Sequence, residues 1–120
     1  HGPHVVRAVE QYKKRFIAYS LGNFATYGRF NLAKERALAP AIKVTLNVEG
    51  IFQKAKVFSF TQKNYNGPKK DNSNKAYFKI KELTQQDFPK RKLLFADAKK
   101  EIHPFDINKI LTYWKGLIQY

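Results

Sequence analysis

Apolar and polar positions alternate most clearly between Ile42 and Val48. Ile42, Val44, Leu46 and Val48 interleave with Lys43, Thr45 and Asn47, the period of two that gives a strand one apolar and one wet face. Glu49-Gly50 supplies a turn, and Phe52 to Phe60 returns as the partner strand, with Val57 between Lys56 and Phe58. Val5 to Tyr12 and Phe16 to Leu21 are rich in β-branched, aromatic and small apolar residues and flank the charged break Lys13-Lys14. They predict a first hairpin, ended by Gly22-Asn23, two residues that tolerate positive φ.

Helical spacing appears twice. Ala76, Ile80 and Leu83 predict a helix over Lys75 to Gln86, closed by Phe88-Pro89. Asp106 is a good N-cap for a second helix, on which Ile107, Ile110, Leu111, Trp114, Leu117 and Ile118 form one apolar stripe. Phe24 to Pro40 stays ambiguous, with a short helical turn around Leu32 to Ala37. Asn64 to Asn74 reads as a polar loop and Leu93 to Phe95 as one more short strand. The expected fold class is α+β: two β-hairpins plus C-terminal helices, with no internal repeats and no second domain.

The 120 residues are the size of one small domain, and no run of ~18 apolar residues is present to span a membrane. The absence of cysteine excludes a disulfide framework and a thiolate metal site. The 23 Lys and Arg against 9 Asp and Glu leave a formal charge of +14, which favours a polyanionic partner or reflects a solvated lysine-rich surface. No RNP-like aromatic motif or zinc-finger spacing supports direct nucleic-acid readout.

Candidate chemistry sits at the start. His1 and His4 are two of three histidines, and Gly2-Pro3 between them would bend the backbone enough for both to share a metal. Neutral imidazole suits Zn, Mn or Fe, yet a catalytic metal takes at least three protein ligands, and only His103 remains, far along the chain. Taken alone, a terminal histidine pair reads as a frayed tail or a cloning remnant before it reads as a metal site. Gly22-Asn23 reads as a turn, and His103, next to Pro104, is expected to be structural.

The stretch "HGPHVVRAVEQYKKRFIAYSLGNFATYGRFNL" resembles the C-terminal signature of CapA-type bacterial capsule-synthesis proteins, associated with poly-γ-glutamate production and part of the calcineurin-like metallophosphoesterase superfamily. The residues that carry the resemblance are His1-Gly2-Pro3-His4-Val5, Tyr12-Lys13-Lys14 and Tyr19-Ser20-Leu21-Gly22-Asn23-Phe24. It is specific over residues 1–32, fair to about Gln62 and loose beyond. Lys14 stands where the family commonly has a turn glycine, so that turn is expected to be longer or strained.

The resemblance implies that this is the C-terminal portion of a longer protein, with residues 1–62 as family-like hairpins and 63–120 as a loop and helical extension. It implies an α/β/β/α sandwich in the intact protein and a site where His1 and His4 ligate divalent metal (Mn, Fe or Zn), with Asn23 able to hydrogen-bond a metal-bound imidazole and Arg29 and Asn31 as candidates to face an anionic substrate. The remaining ligands would come from the preceding N-terminal part, so the chain alone is expected to be inactive and a metal-dependent hydrolase only with that part present. It further implies a cell-envelope location, with any membrane association through the preceding sequence. The rival reading is a non-catalytic basic module that binds an acidic polymer such as poly-γ-glutamate, or, with less support, nucleic acid non-specifically. An isolated C-terminal portion would also expose an apolar sheet face, part of which the Ile107 to Ile118 stripe is placed to cover.

Overall fold

The computed structural model describes residues 1–26, 31–63, 67–90 and 93–105. Eight strands and one α-helix are formed among them: β1 (Val9–Tyr12), β2 (Arg15–Ala18), β3 (Ala41–Leu46), β4 (Phe52–Phe58), β5 (Phe60–Gln62), β6 (Pro68–Lys70), α1 (Lys75–Asp87), β7 (Leu94–Ala96) and β8 (Glu101–His103). A 3-10 turn spans Lys34–Ala37, within the stretch expected to be helical. The architecture is α+β with antiparallel sheets: β1-β2, β5-β6 and a four-stranded sheet in the order β3-β4-β8-β7.

The first hairpin forms as its composition predicts. Val9 pairs with Ala18 and Tyr12 with Arg15. The ladder runs on past the regular strands, through Tyr19 N–H to the Ala8 carbonyl, Arg7 N–H to the Ser20 carbonyl and a bridge between Val6 and Leu21. The turn is not longer than usual: Lys13 and Lys14 alone make it, at φ 47° and 65°. Two-residue hairpin turns of this hand need positive φ at both central positions. Two lysines therefore hold a conformation that costs an L-residue about 1–2 kcal/mol. The surroundings impose it, since the Lys14 carbonyl accepts from Phe52 N–H at 2.9 Å and the Phe16 and Phe52 rings meet at 4.8 Å.

The second hairpin also pairs as expected, with Ile42 opposite Val57 and Val44 opposite Ala55. Its apolar side is less covered than the alternation implies. On β4, Phe52, Ala55 and Val57 are buried, whereas on β3 Val44 is 38% and Leu46 52% exposed. The reason is position: β3 is an edge strand, and α1 packs across β4 and β1 instead. Val48 leaves the strand altogether, because the Asn47 carboxamide oxygen accepts from both Glu49 and Ile51 N–H and curls residues 47–50 into the turn.

Helix α1 forms where its spacing predicts and buries Ala76, Tyr77, Ile80, Leu83 and Thr84. These pack with Val6, Val9, Leu38, Phe52, Ala55, Val57 and Ile102 into the core. Each large side chain so buried contributes about 1.5–3 kcal/mol of transfer free energy. The first turn is held from outside the helix: an Asp71 carboxylate oxygen accepts from Lys75 N–H at 2.9 Å and Ser59 Oγ from Tyr77 N–H at 3.1 Å. Burial pushes the Asp71 carboxyl up, but the N–H groups of Lys75 and Ser73 and the Lys75 ammonium outweigh it and hold the group below the usual carboxylate range. Tyr77 donates its hydroxyl to Asp97 at 2.7 Å, tying α1 to the turn between β7 and β8.

The C-terminal half forms the expected helix and, at Leu94–Ala96, the short strand expected at Leu93 to Phe95, and it adds β6 within the expected Asn64 to Asn74 loop and β8 after β7. Within residues 63–105 the described residues place one helix and three further strands. Strands of three residues are too short to show a period of two, and β6 begins on Pro68, which a two-stranded edge accommodates. β8 inserts between β4 and β7, with Ile102 opposite both Ala55 and Phe95. The expected Ile107 to Ile118 helix with its Asp106 cap lies outside the described residues. The strained two-lysine turn yields a test by urea unfolding. Lys14→Gly relieves the left-handed cost and should raise stability by about 1 kcal/mol, whereas an unchanged or lower midpoint would show the turn unstrained.

Candidate functional site

The open end of the first hairpin gathers the residues singled out in the sequence. His1 to His4 form a four-residue turn closed by His4 N–H on the His1 carbonyl at 3.0 Å, so Gly2-Pro3 do bend the chain. His4 itself sits at φ 57°. This turn lies against the residues that end the hairpin. His1 Nδ1 is 2.8 Å from the Gly22 carbonyl oxygen, and His4 Nδ1 is 2.9 Å from Asn23 Oδ1. Asn23 Nδ2 in turn donates to the His4 carbonyl at 3.2 Å.

Those partners fix the protons. A backbone carbonyl only accepts, so His1 Nδ1 carries the hydrogen. Because the Asn23 amide nitrogen is committed to the His4 carbonyl, its oxygen is the atom that faces His4, and His4 Nδ1 also donates. In the neutral ring the lone pair then resides on Nε2 of both imidazoles. Oxygen acceptors on the far nitrogen are the arrangement by which proteins orient imidazole for a metal.

The platform beneath is rigid and mostly buried. Asn23 is 3% and Ser20 2% exposed. Ser20 Oγ accepts from Gly22 N–H at 3.1 Å, and Gly22 holds φ 69°. A Cβ there would lie 3.2 Å from the Leu38 carbonyl oxygen and 3.3 Å from the Val6 nitrogen, so the position excludes a side chain both by conformation and by space. Further along, the buried Gln62 carboxamide donates to the Thr26 carbonyl and hydroxyl at 2.9 and 2.8 Å, and Phe24 meets Phe60 edge to face. Val9 N–H donates to Thr84 Oγ1, fastening the hairpin to α1.

The other candidates stand apart from this cluster. Asn31 is exposed and its carboxamide oxygen accepts from Ala33 N–H, a local turn at the start of the 3-10 segment. Arg29 lies outside the described residues. His103 is on β8, with Nε2 3.2 Å from Glu101 Oε1, and it does not join the other two histidines. Among the described residues no group of three or more His, Asp or Glu side chains is placed to hold a metal ion. The spacing of residue types did not reveal that a bare carbonyl, Gly22 O, would anchor His1; the only signal was the glycine itself.

This geometry defines an α+β chain that presents two oriented imidazoles at a hairpin end. Residues 1–27 match the family model of the bacterial capsule synthesis protein PGA_cap. The match covers both histidines, the hairpin and Gly22-Asn23, and it supports capsule synthesis as the setting. No curated protein and no solved structure matches the chain. Among the described residues no helix is long and apolar enough to cross a membrane.

The platform depends on the left-handed glycine. Gly22→Ala should cost about 1–3 kcal/mol in urea unfolding, since it adds both backbone strain and a close contact. A loss below about 0.5 kcal/mol would show that the site tolerates a side chain there.

Proposed function

We propose that this chain is the C-terminal part of a CapA-like, metal-dependent phosphoesterase-type protein of capsule or cell-envelope polymer synthesis, in which His1 and His4 are metal ligands. The observation that carries the reading is the matched pair of Nδ1 hydrogen bonds from the two imidazoles to Gly22 and Asn23. A disordered histidine tail has no such partners, whereas a ligand pair uses them to aim Nε2.

The donor set fits a borderline divalent ion, Zn, Mn or Fe. Two imidazoles fall short of the three protein ligands of a catalytic site, so the reading takes the remaining ligands from outside the described residues. On that ground the chain alone is inactive. When bound in a completed site, such an ion activates water and offsets developing charge on a phosphoryl oxygen. The chain's own contribution is positional. Asn23 holds the His4 ring, the Gly22 carbonyl holds the His1 ring, and the turn between them sets their separation. The polymer setting rests on the family match to residues 1–27.

Titration of the chain with Zn²⁺, followed by calorimetry, tests the ligand assignment. His4→Ala and Asn23→Ala should each weaken binding by about tenfold or more, the second because it frees the ring without removing it. Equal affinities for all three proteins would show that any bound zinc sits elsewhere.

A further inference from the structure

The β1–β2 and β3–β4 hairpins turn at the same end of the molecule, and both turns hold residues that their local geometry disfavours. The tips are joined by the Lys14 carbonyl, which accepts from Phe52 N–H at 2.9 Å, and by Arg15 Nη1, which donates to the Glu49 carbonyl at 2.5 Å. The fit is close enough that a Cβ on Gly50 would collide with Arg15 Nη1. In the first tip, two lysines occupy the left-handed positions that asparagine and glycine fill at least cost. In the second, Gly50 N–H closes a turn on the Asn47 carbonyl at 2.9 Å, and Val48 stands fully in solvent at 104% exposure. Turns favour polar residues and glycine, and a valine there gains nothing from the fold. Leu46, 52% exposed, continues the apolar surface along the edge strand β3. Lys13, Lys14, Arg15 and Lys54 are exposed at this end, and Glu49 is the one carboxylate within residues 12–15 and 46–54.

We propose that this double tip binds the surface of an anionic lipid bilayer, with Val48 and Leu46 at the acyl boundary and the neighbouring cations among the headgroups. A protruding apolar residue beside long cationic stems is the chemistry of an interfacial contact. The ammonium groups stay at the headgroups while their methylenes and the valine lie deeper. Two adjacent turns that break local preference without gain to the fold mark a surface kept for another purpose. A folded acidic partner would need a pocket shaped for Val48, and a second copy would bring its own charge of +14 against this one. A bilayer asks for neither fitted shape nor like-charge contact. The ladder from the Val6–Leu21 bridge to the Tyr12–Arg15 pair is about 20 Å long. A chain resting on its tips therefore holds the His1 and His4 end away from the lipid. The contact stands on these observations alone and does not depend on the metal reading.

The test is co-sedimentation of the chain, at low salt, with vesicles of phosphatidylglycerol and phosphatidylcholine in equal parts. Two variants suit the local geometry and so preserve the fold: Val48→Asn, and Lys13→Asn with Lys14→Gly, which puts asparagine and glycine into the left-handed turn. Val48→Asn keeps the charge at +14, and binding should fall about threefold or more. The lysine pair variant, at +12, should lose about tenfold or more, since each lysine at an anionic surface is worth about fivefold. Lys69→Gln with Lys90→Gln reaches the same +12 at exposed sites elsewhere and should change binding less than about threefold. Equal losses in the two +12 proteins, or no loss in Val48→Asn, would overturn the proposal. Val48→Trp should bind more tightly and show a vesicle-dependent blue shift of fluorescence beyond that of the parent chain, which already contains Trp114. No added shift would overturn insertion at this tip. A dimer that forms without lipid and is lost in Val48→Asn would overturn the choice of partner. Loss of vesicle binding in His4→Ala would place the contact at the other end of the hairpin and overturn it too.

Discussion

The backbone of Gly22 is the constraint on which the candidate site turns. Its left-handed φ reverses the chain where the hairpin ends, in a space that closes to 3.2 Å of the Leu38 carbonyl. That reversal presents the Gly22 carbonyl to His1 and places the Asn23 carboxamide beneath His4. Both imidazoles thus take their proton positions from two consecutive residues. Ser20, Gly22 and Asn23 are buried, so the platform is set by the fold itself.

The rest of the domain holds that platform still. The hairpin is fastened at its tip, where the Lys14 carbonyl takes the Phe52 N–H, and along its length, where Val9 N–H meets Thr84 Oγ1. Beyond the site, Gln62 clamps Thr26 against β5. Helix α1 spans β4 and β1, and its first turn is capped by Asp71 and Ser59 from separate strands and loops. Burial of Tyr77, whose hydroxyl pKa is driven upward first by desolvation and then by Asp97, locks the helix to the β7–β8 turn. The wet face of the same sheet carries Lys43, Lys54 and Lys56.

Much of this was legible in the residue pattern. The alternation over Ile42 to Val48 gave the β3–β4 pairing, because adjacent residues of a strand face opposite ways, and the Ala76, Ile80, Leu83 spacing gave α1. Sheet order was not legible: nothing in Glu101-Ile102-His103 says that it inserts between β4 and β7, since three residues carry no period. Nor did the apolar side of β3 announce that it would sit at an edge, uncovered by α1. At the site, the histidine pair and the Gly-Asn turn could be picked out, and the family resemblance suggested Asn23 as an imidazole partner. The pairing of His1 with a backbone carbonyl depends on φ at Gly22, which composition does not encode. Asn31, legible only as a polar residue near the motif, serves a local turn instead.

The hydrogen bonds at His1 and His4 predict that both rings carry the proton on Nδ1, with the lone pair on Nε2. Nitrogen-15 NMR of the histidine side chains, at a pH high enough for both rings to be neutral, reads this directly. Two Nδ1–H tautomers, with His4 losing its bias in Asn23→Ala, are the predicted result. An Nε2–H tautomer at either ring, or the averaged shifts of a freely moving terminal tail, would contradict it.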